Sequence, residues 1–76
     1  QSKEDARIKG LLARYPPGVT EETIPGDNVL IIKRVLVKDK SAFVYEKKIF
    51  SWGGVSCFRD GIPITELIFE SETRPN

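Results

Sequence analysis

Apolar residues near the start of the chain recur with helical spacing. Four of them share one helix face at i, i+3, i+4 and i+7: Ile8, Leu11, Leu12 and Tyr15. Ser2 is a candidate N-cap, and Pro16 and Pro17 end the pattern because proline has no amide hydrogen to donate. The pattern predicts one amphipathic N-terminal helix.

The middle of the chain alternates between runs rich in β-branched and aromatic residues and short polar turns. A run over 19–24 fits either a strand or a helical turn capped by Thr20, and we favour the strand. Turn residues at 25–28 and 38–41, and the Asp60-Gly61 pair, separate the runs. The strands predicted in this way are 19–24, 29–37, 42–52 and 55–58.

The two longest runs predict an antiparallel hairpin with a defined register. When Val37 is placed opposite Ala42, Val35 falls opposite Val44, and Lys33 faces Glu46 as a favourable charge pair. Both faces of this hairpin then carry apolar side chains. One helix cannot cover both, so we expect the second face to be closed by sheet curvature, by the C-terminal segment or by another molecule, and favour internal closure.

The segment 62–76 fits two structures. Thr65 can cap a two-turn helix that points Ile64, Leu67 and Ile68 inward, or residues 66–70 can alternate as an edge strand. We favour the helix and expect the chain to fray from Ser71 onward. The predicted fold is a single α+β domain over 1–76, with an N-terminal helix packed on a three- to four-stranded antiparallel β-meander and a possible short C-terminal helix.

The stretch FSWGGVSCFRDG, residues 50–61, contains the only Trp and the only Cys of the chain. We interpret Gly53 and Gly54 as a tight turn or bulge and expect Gly54 to hold an angle unfavourable to other residues. Trp52 beside them should be partly buried and border any partner surface. Cys57 should be a buried, inert thiol, and Gly61 should complete a turn that needs positive φ.

The composition argues against most chemistry. The chain has no His, which removes the commonest general base and metal ligand, and it has no phosphate loop, zinc spacing or calcium loop. We therefore expect no enzyme activity, no cofactor and no metal site. The longest apolar run, Val29 to Ile32, is too short to span a membrane.

The 76 residues include no Met, so Gln1 is not a translation start. We expect a processed chain or a piece of a longer one, and favour an extracytoplasmic (periplasmic or secreted) location over a cytoplasmic one without fixing the compartment.

Charge is distributed unevenly although the whole chain is only +1. Residues 29–59 carry seven basic and two acidic side chains (+5), whereas residues 1–28 come to −1 and residues 60–76 to −3. The acidic tail can therefore neutralise the basic hairpin within the fold. The candidate binding residues are Trp52, Tyr45, Phe43, Arg34 and Lys47.

These observations favour a non-catalytic interaction or structural module that presents a β-sheet surface to a protein partner or to a second copy of itself. The alternative is a nucleic-acid-binding sheet that uses the basic hairpin 29–59, which combines cations with aromatic side chains. Because the basic side chains are divided between the two faces of the hairpin, nucleic acid is the less favoured partner.

Overall fold

The protein is described here from a computed structural model of residues 2–74, with side chains from residue 5 onward. The elements are α1 Ser2–Arg14, β1 Gly18–Gly26, β2 Val29–Lys38, β3 Ser41–Phe50, β4 Val55–Arg59, β5 Ile62–Ile64 and α2 Glu66–Glu72. The five strands form one antiparallel sheet in the order β1-β2-β3-β4-β5. The predicted α+β class is confirmed, and capping by the Ser2 side chain lies outside the described side chains.

The register predicted for the central hairpin is confirmed. Val37 lies opposite Ala42 and Lys33 opposite Glu46, and the pairing continues without a bulge from Val29 to Lys38. The turn between β2 and β3 consists of Asp39 and Lys40, both with positive φ (52° and 64°). Such a two-residue turn matches the twist of the flanking strands and fixes their register.

The sheet has more strands than the sequence predicts. The strand expected at 19–24 is longer, running over Gly18–Gly26, and β5 forms a fifth, short strand after the Asp60-Gly61 turn. Both turn residues have positive φ (51° and 83°), as expected. Three residues around Pro63 are too few to show a period-2 pattern, which is why β5 escapes the sequence analysis.

The third strand ends earlier than predicted, at Phe50 instead of Trp52. The chain already turns over residues 51–54, where the Gly53 amide donates to the Phe50 carbonyl (2.9 Å) and the Phe50 amide to the Gly54 carbonyl (2.8 Å). The Ser51 amide also donates to the Asn28 carbonyl (2.9 Å), which joins this turn to the turn between β1 and β2. Trp52 therefore belongs to a turn.

One face of the sheet, here called the helix-1 face, packs against α1. Tyr15 at the end of α1 is buried with Val35, Val37 and Ala42, and three partly buried side chains pack around them: Leu11, Leu12 and Val44. This confirms the predicted inward face of the N-terminal helix for Leu11, Leu12 and Tyr15, and Ile8 is half-buried. The Arg7 guanidinium, near the middle of α1, pairs with Asp60 (3.3 Å).

The opposite face, the helix-2 face, packs against α2, so the C-terminal segment provides the predicted internal closure. The Thr65 hydroxyl accepts a hydrogen bond from the Ile68 amide (3.1 Å), confirming the N-cap. Of the three residues expected to point inward, Ile64 does pack against this core. The expectation is wrong for Leu67, which is 77% exposed, and for Ile68, which is 36% exposed, whereas Phe69 is fully buried against Tyr45 and Cys57. A two-turn helix can bury one narrow stripe, and the larger Phe69 ring occupies it.

The expected fraying from Ser71 onward is also wrong. α2 continues to Glu72, and the Thr73 side chain is completely buried. The Thr73 hydroxyl donates to the Phe69 carbonyl (2.6 Å) and accepts from Arg34 (2.8 Å). The bond from Arg34 ties the end of the helix to β2.

Truncation of Phe69 tests the role of α2. Phe69→Ala should lower the free energy of unfolding by about 3–5 kcal/mol, because it leaves a cavity in the smaller core cluster. Leu67→Ala on the same helix is the matched control and should change it by less than about 0.5 kcal/mol, since that side chain is in solvent. Urea titration measures both, and equal losses would contradict this packing.

Candidate interaction surface

The helix-1 face is only partly covered. The 13 residues of α1 reach about 20 Å, and the helix lies across the strands rather than along them. It is held by Tyr15 at its C-terminal end, whose hydroxyl lies 3.4 Å from Glu22 and 3.5 Å from Lys33, and by Arg7 near its middle, which pairs with Asp60. The ten residues of β2 extend about 33 Å. The half of this face that is remote from the β2–β3 turn therefore has no helix over it.

The uncovered half carries a continuous set of apolar and aromatic side chains, which we call the open patch. By register, Ile24, Ile31 and Lys48 lie in one row across β1, β2 and β3, and Val29 and Phe50 lie in the next. The open patch consists of Ile24, Val29, Ile31, Phe50, Trp52 and Phe58. Ile24 is 44% exposed, and Val29, Ile31, Phe50 and Phe58 are half-buried.

Trp52 is the most prominent member of the open patch. Its ring stacks on Phe50 with centroids 5.5 Å apart and an interplanar angle of 15°. The expectation that Trp52 is partly buried is wrong, because 77% of its surface is exposed. The reason is the early end of β3, which places Trp52 in the turn at the corner of the sheet, so that only one side of the indole has a neighbour.

The two glycines after Trp52 have different roles, and the sequence assigns them the wrong way round. Gly53, not Gly54, has the positive φ (105°). At Gly54 a Cβ would collide with the six-membered ring of Trp52, which lies directly over this residue. Gly53 therefore supplies the turn, and Gly54 supplies the space that lets the indole lie flat.

One unpaired cation accompanies the open patch. The Lys48 ammonium lies 5.1 Å from the centroid of the Phe58 ring, within the range of a cation–π contact. No carboxylate within the described part of the chain forms an ion pair with Lys48. The open patch is therefore aromatic and apolar, with Lys48 within it and Glu46 opposite Phe58.

Three of the candidate binding residues lie instead on the helix-2 face, where α2 engages them. Arg34 pairs with Glu21 (2.8 Å) and Glu70 (3.3 Å), and its guanidinium lies 4.9 Å from the Phe69 ring centroid. Although burial lowers the pKa of Arg34, the hydrogen bonds to these two glutamates raise it overall. Arg34 thus clamps β1, β2 and α2 together.

Lys47 makes the neighbouring contact with α2. Its ammonium lies 2.6 Å from Glu66 and 3.5 Å from Glu70, and the hydrogen bond to Glu66 raises the pKa of Lys47. This confirms that the acidic tail neutralises cations of the basic hairpin within the fold.

Tyr45 is almost completely buried, at 3% exposure, and belongs to the core. Its hydroxyl donates to Glu72 (2.8 Å), which also pairs with Arg59 (2.9 Å). Burial, helped by the nearby Glu72 carboxylate, raises the pKa of Tyr45 to about 12. The phenol is therefore neutral and holds the end of α2.

Phe43 and Cys57 complete the sequence-predicted set. Phe43 is 37% exposed on the helix-2 face, on the side of the sheet opposite to Trp52's partner Phe50. Cys57 is buried under Phe69, as predicted, and burial raises the pKa of its thiol. The structure thus leaves Trp52 alone among the five candidates in the open patch.

Ile24, Phe50 and Phe58 were not predicted as surface residues. For Phe50 the signal was present in the confirmed register of β2 and β3, which places it opposite Val29, whereas the pairings of Ile24 with Ile31 and of Phe58 with Glu46 are seen only in the structure. What the sequence did not contain was the direction in which α1 crosses the sheet. Without that direction, no pattern distinguishes a covered apolar residue from an uncovered one.

Other kinds of site were sought in the same residues. Between residues 2 and 74, no group of three or more His, Cys, Asp or Glu is arranged to hold a metal ion. Neither helix in the described part of the chain is long and apolar enough to cross a membrane. Comparisons of the chain with protein-family models, with curated proteins and with solved structures gave no match.

The glycine assignment can be tested at Trp52. Gly54→Ala should push the indole off Phe50, because the new methyl group occupies the place of the ring. The indole N–H resonance and the ring-current shifts of Phe50 should both move. Gly53→Ala is the control: it meets no neighbouring atom but strains a positive φ, so it should cost about 1–3 kcal/mol of stability while the stack persists. An unmoved indole resonance in Gly54→Ala would contradict the geometry.

The Glu72 contacts predict a pH dependence. Hydrogen bonding from Tyr45, with a further contribution from Arg59, lowers the pKa of Glu72 below its ordinary 4.5. A lowered folded-state pKa contributes stability that is present above the unfolded value and lost as the pH falls through the folded one. Glu72→Gln should therefore lose less stability than the wild type between about pH 7 and about pH 3. Urea midpoints at both pH values measure this, and identical losses in the two proteins would refute it.

Proposed function

We propose that this domain is a non-catalytic protein-interaction module and that the open patch is its contact surface, for a protein partner or a second copy of the chain. The observation that carries the proposal is the Trp52–Phe50 stack, held at a sheet corner with 77% of Trp52 exposed. Rigid exposed aromatics supply large contact area at little entropic cost and are enriched among interface hot spots.

The manner in which the indole is held supports an interaction role. A tryptophan that was merely tolerated on the surface would need neither a flat support nor a stacking partner. Here Gly54 removes the atom that would prevent the indole from lying flat, and Phe50 fixes its orientation. An aromatic side chain fixed before binding loses less conformational entropy when a partner covers it.

The residues around the stack extend the contact area beyond one side chain. Ile24 and Ile31 continue the apolar surface across β2 to the edge of the sheet, and Lys48 on β3 adds a positive charge between Ile31 and Phe58. A contiguous exposed apolar surface of this kind typically marks an interaction site.

The alternative function, binding of nucleic acid by the basic hairpin, has less support. Three of its seven cations are paired with α2 or with its neighbours, namely Arg34, Lys47 and Arg59. Affinity for nucleic acid depends on cations that are free to displace counterions. Lys48 beside the aromatic stack is the one contact that fits a base-stacking platform.

Trp52→Ala tests the proposed surface. It should weaken association by at least about tenfold, the typical loss at an interface hot spot, and Phe43→Ala on the opposite face is the aromatic control, expected to change it little. Self-association is measured by sedimentation equilibrium, and partner capture by comparing the three proteins as bait under one condition.

The same experiment separates the alternatives. Equal association of Trp52→Ala and wild type, after correction for any unfolded fraction, would exclude the open patch as the contact surface. Binding of a single-stranded oligonucleotide that falls steeply with salt would favour the nucleic-acid function instead.

A further inference from the structure

The two edges of the sheet are unequal. β5 has three residues, one of them Pro63, so it offers almost no backbone for pairing. β1 has nine residues and pairs with β2 on one side only. No described segment covers its outer side, and the last six residues of β1 are all exposed. The long open edge of this domain is therefore β1.

The backbone groups that β1 presents outward follow from the register. The residues that flank the two-residue turn Asp39-Lys40 form a hydrogen-bonded pair. Along the strands from there, hydrogen-bonded pairs alternate with pairs that are not hydrogen-bonded. The hydrogen bonds between Val44 and Asp60 agree, since they show the Val44 peptide groups turned toward β4. The same alternation continues through β2 to β1. It directs the N–H and C=O groups of Val19, Glu21 and Thr23 at the free edge.

Charged side chains usually protect such an edge, but here they are held over the sheet. Glu21 reaches inward to Arg34 (2.8 Å) and Glu22 to Lys33 (3.6 Å). Both carboxylates remain about half exposed, with side-chain exposures of 51% and 45%. The edge thus presents unpaired peptide groups between two half-exposed carboxylates, one on each face, each of which pairs with one cation of β2.

This arrangement disfavours a second copy of the chain as the occupant. Antiparallel pairing of two β1 strands through their centres would set Glu21 against Glu21 or Glu22 against Glu22. Like charges directly opposite each other destabilise a strand pair. The complementary occupant carries basic residues at these two positions.

We propose that β1 accepts an extended segment of a partner protein as a sixth strand, and that this segment carries two adjacent basic residues opposite Glu21 and Glu22. The main-chain hydrogen bonds provide affinity, and the two carboxylates provide selectivity, one on each face of the sheet. An apolar residue of the segment opposite Ile24 would extend the open patch by one strand. This site is distinct from the Trp52 stack and does not depend on the function proposed above.

The test uses a synthetic peptide of about nine residues that alternates Thr and Val around a central Lys-Arg pair, compared with the same peptide carrying Glu-Glu. The Lys-Arg peptide should bind at least about tenfold more tightly, because two attractive cross-strand pairs become repulsive in the other. Its binding should slow the hydrogen exchange of the Val19, Glu21 and Thr23 amides. Glu21→Gln with Glu22→Gln should remove the preference between the two peptides.

A matched pair of variants tests the edge itself. Thr23→Pro removes an outward N–H, which an edge strand tolerates without loss of its own ladder bonds, and should weaken binding by about tenfold or more. Thr23→Ala keeps that N–H and should bind within about threefold of wild type. The amide spectrum of each variant confirms that it is folded.

Four outcomes would overturn the proposal. In the first, the Lys-Arg peptide shows no saturable binding up to about 1 mM. In the second and third, the two peptides bind equally, or Thr23→Pro and Thr23→Ala bind the peptide equally. In the fourth, hydrogen exchange is slowed at amides outside β1. Trp52→Ala should leave peptide affinity unchanged, and a loss there would place the peptide on the open patch instead of the edge.

Discussion

The contact between Phe69 and the sheet is the interaction on which the rest of the domain depends. The ring is fully buried against Tyr45 and Cys57, and the Arg34 guanidinium lies over it. A small domain with apolar side chains on both sheet faces needs two covers, and in the described residues α2 is the only element on this face. Phe69 is the one large side chain that a seven-residue helix buries there.

Docking of α2 also decides the electrostatic character of the surface. The hairpin carries most of the positive charge of the chain, and the tail carries an excess of negative charge. Glu66, Glu70 and Glu72 pair with Lys47, Arg34 and Arg59, so these opposite charges neutralise one another within the fold. Exposed pairs of this kind contribute little stability each. Their larger effect is on the exposed surface, because they neutralise three of the seven cations of the hairpin.

The sequence predicted what depends on pairs of neighbouring residues and failed where several segments decide together. The hairpin register follows from Val37 opposite Ala42 and a two-residue turn, so it was correct. The inward side of α2 was not, because the three consecutive apolar residues Leu67, Ile68 and Phe69 do not mark one stripe of the helix. Which of these side chains is buried depends on the shape of the sheet surface under α2. The exposure of Trp52 depended in turn on where β3 ends and on how α1 crosses the sheet.

Both the open patch and the exposed β1 edge result from the short length of α1. A short α1 laid across the strands covers the half of the sheet near the β2–β3 turn and leaves both the far half and the outer strand without cover. Ile24 connects the two regions, since it lies on β1 in the same row as Lys48, two strands or about 10 Å away. A strand added at β1 would therefore place its own side chains beside Ile24 and enlarge the apolar surface that ends at Trp52. The proposed edge site and the open patch therefore meet at Ile24 on the helix-1 face, while Thr23 on β1 and Trp52 at the sheet corner allow each to be changed separately.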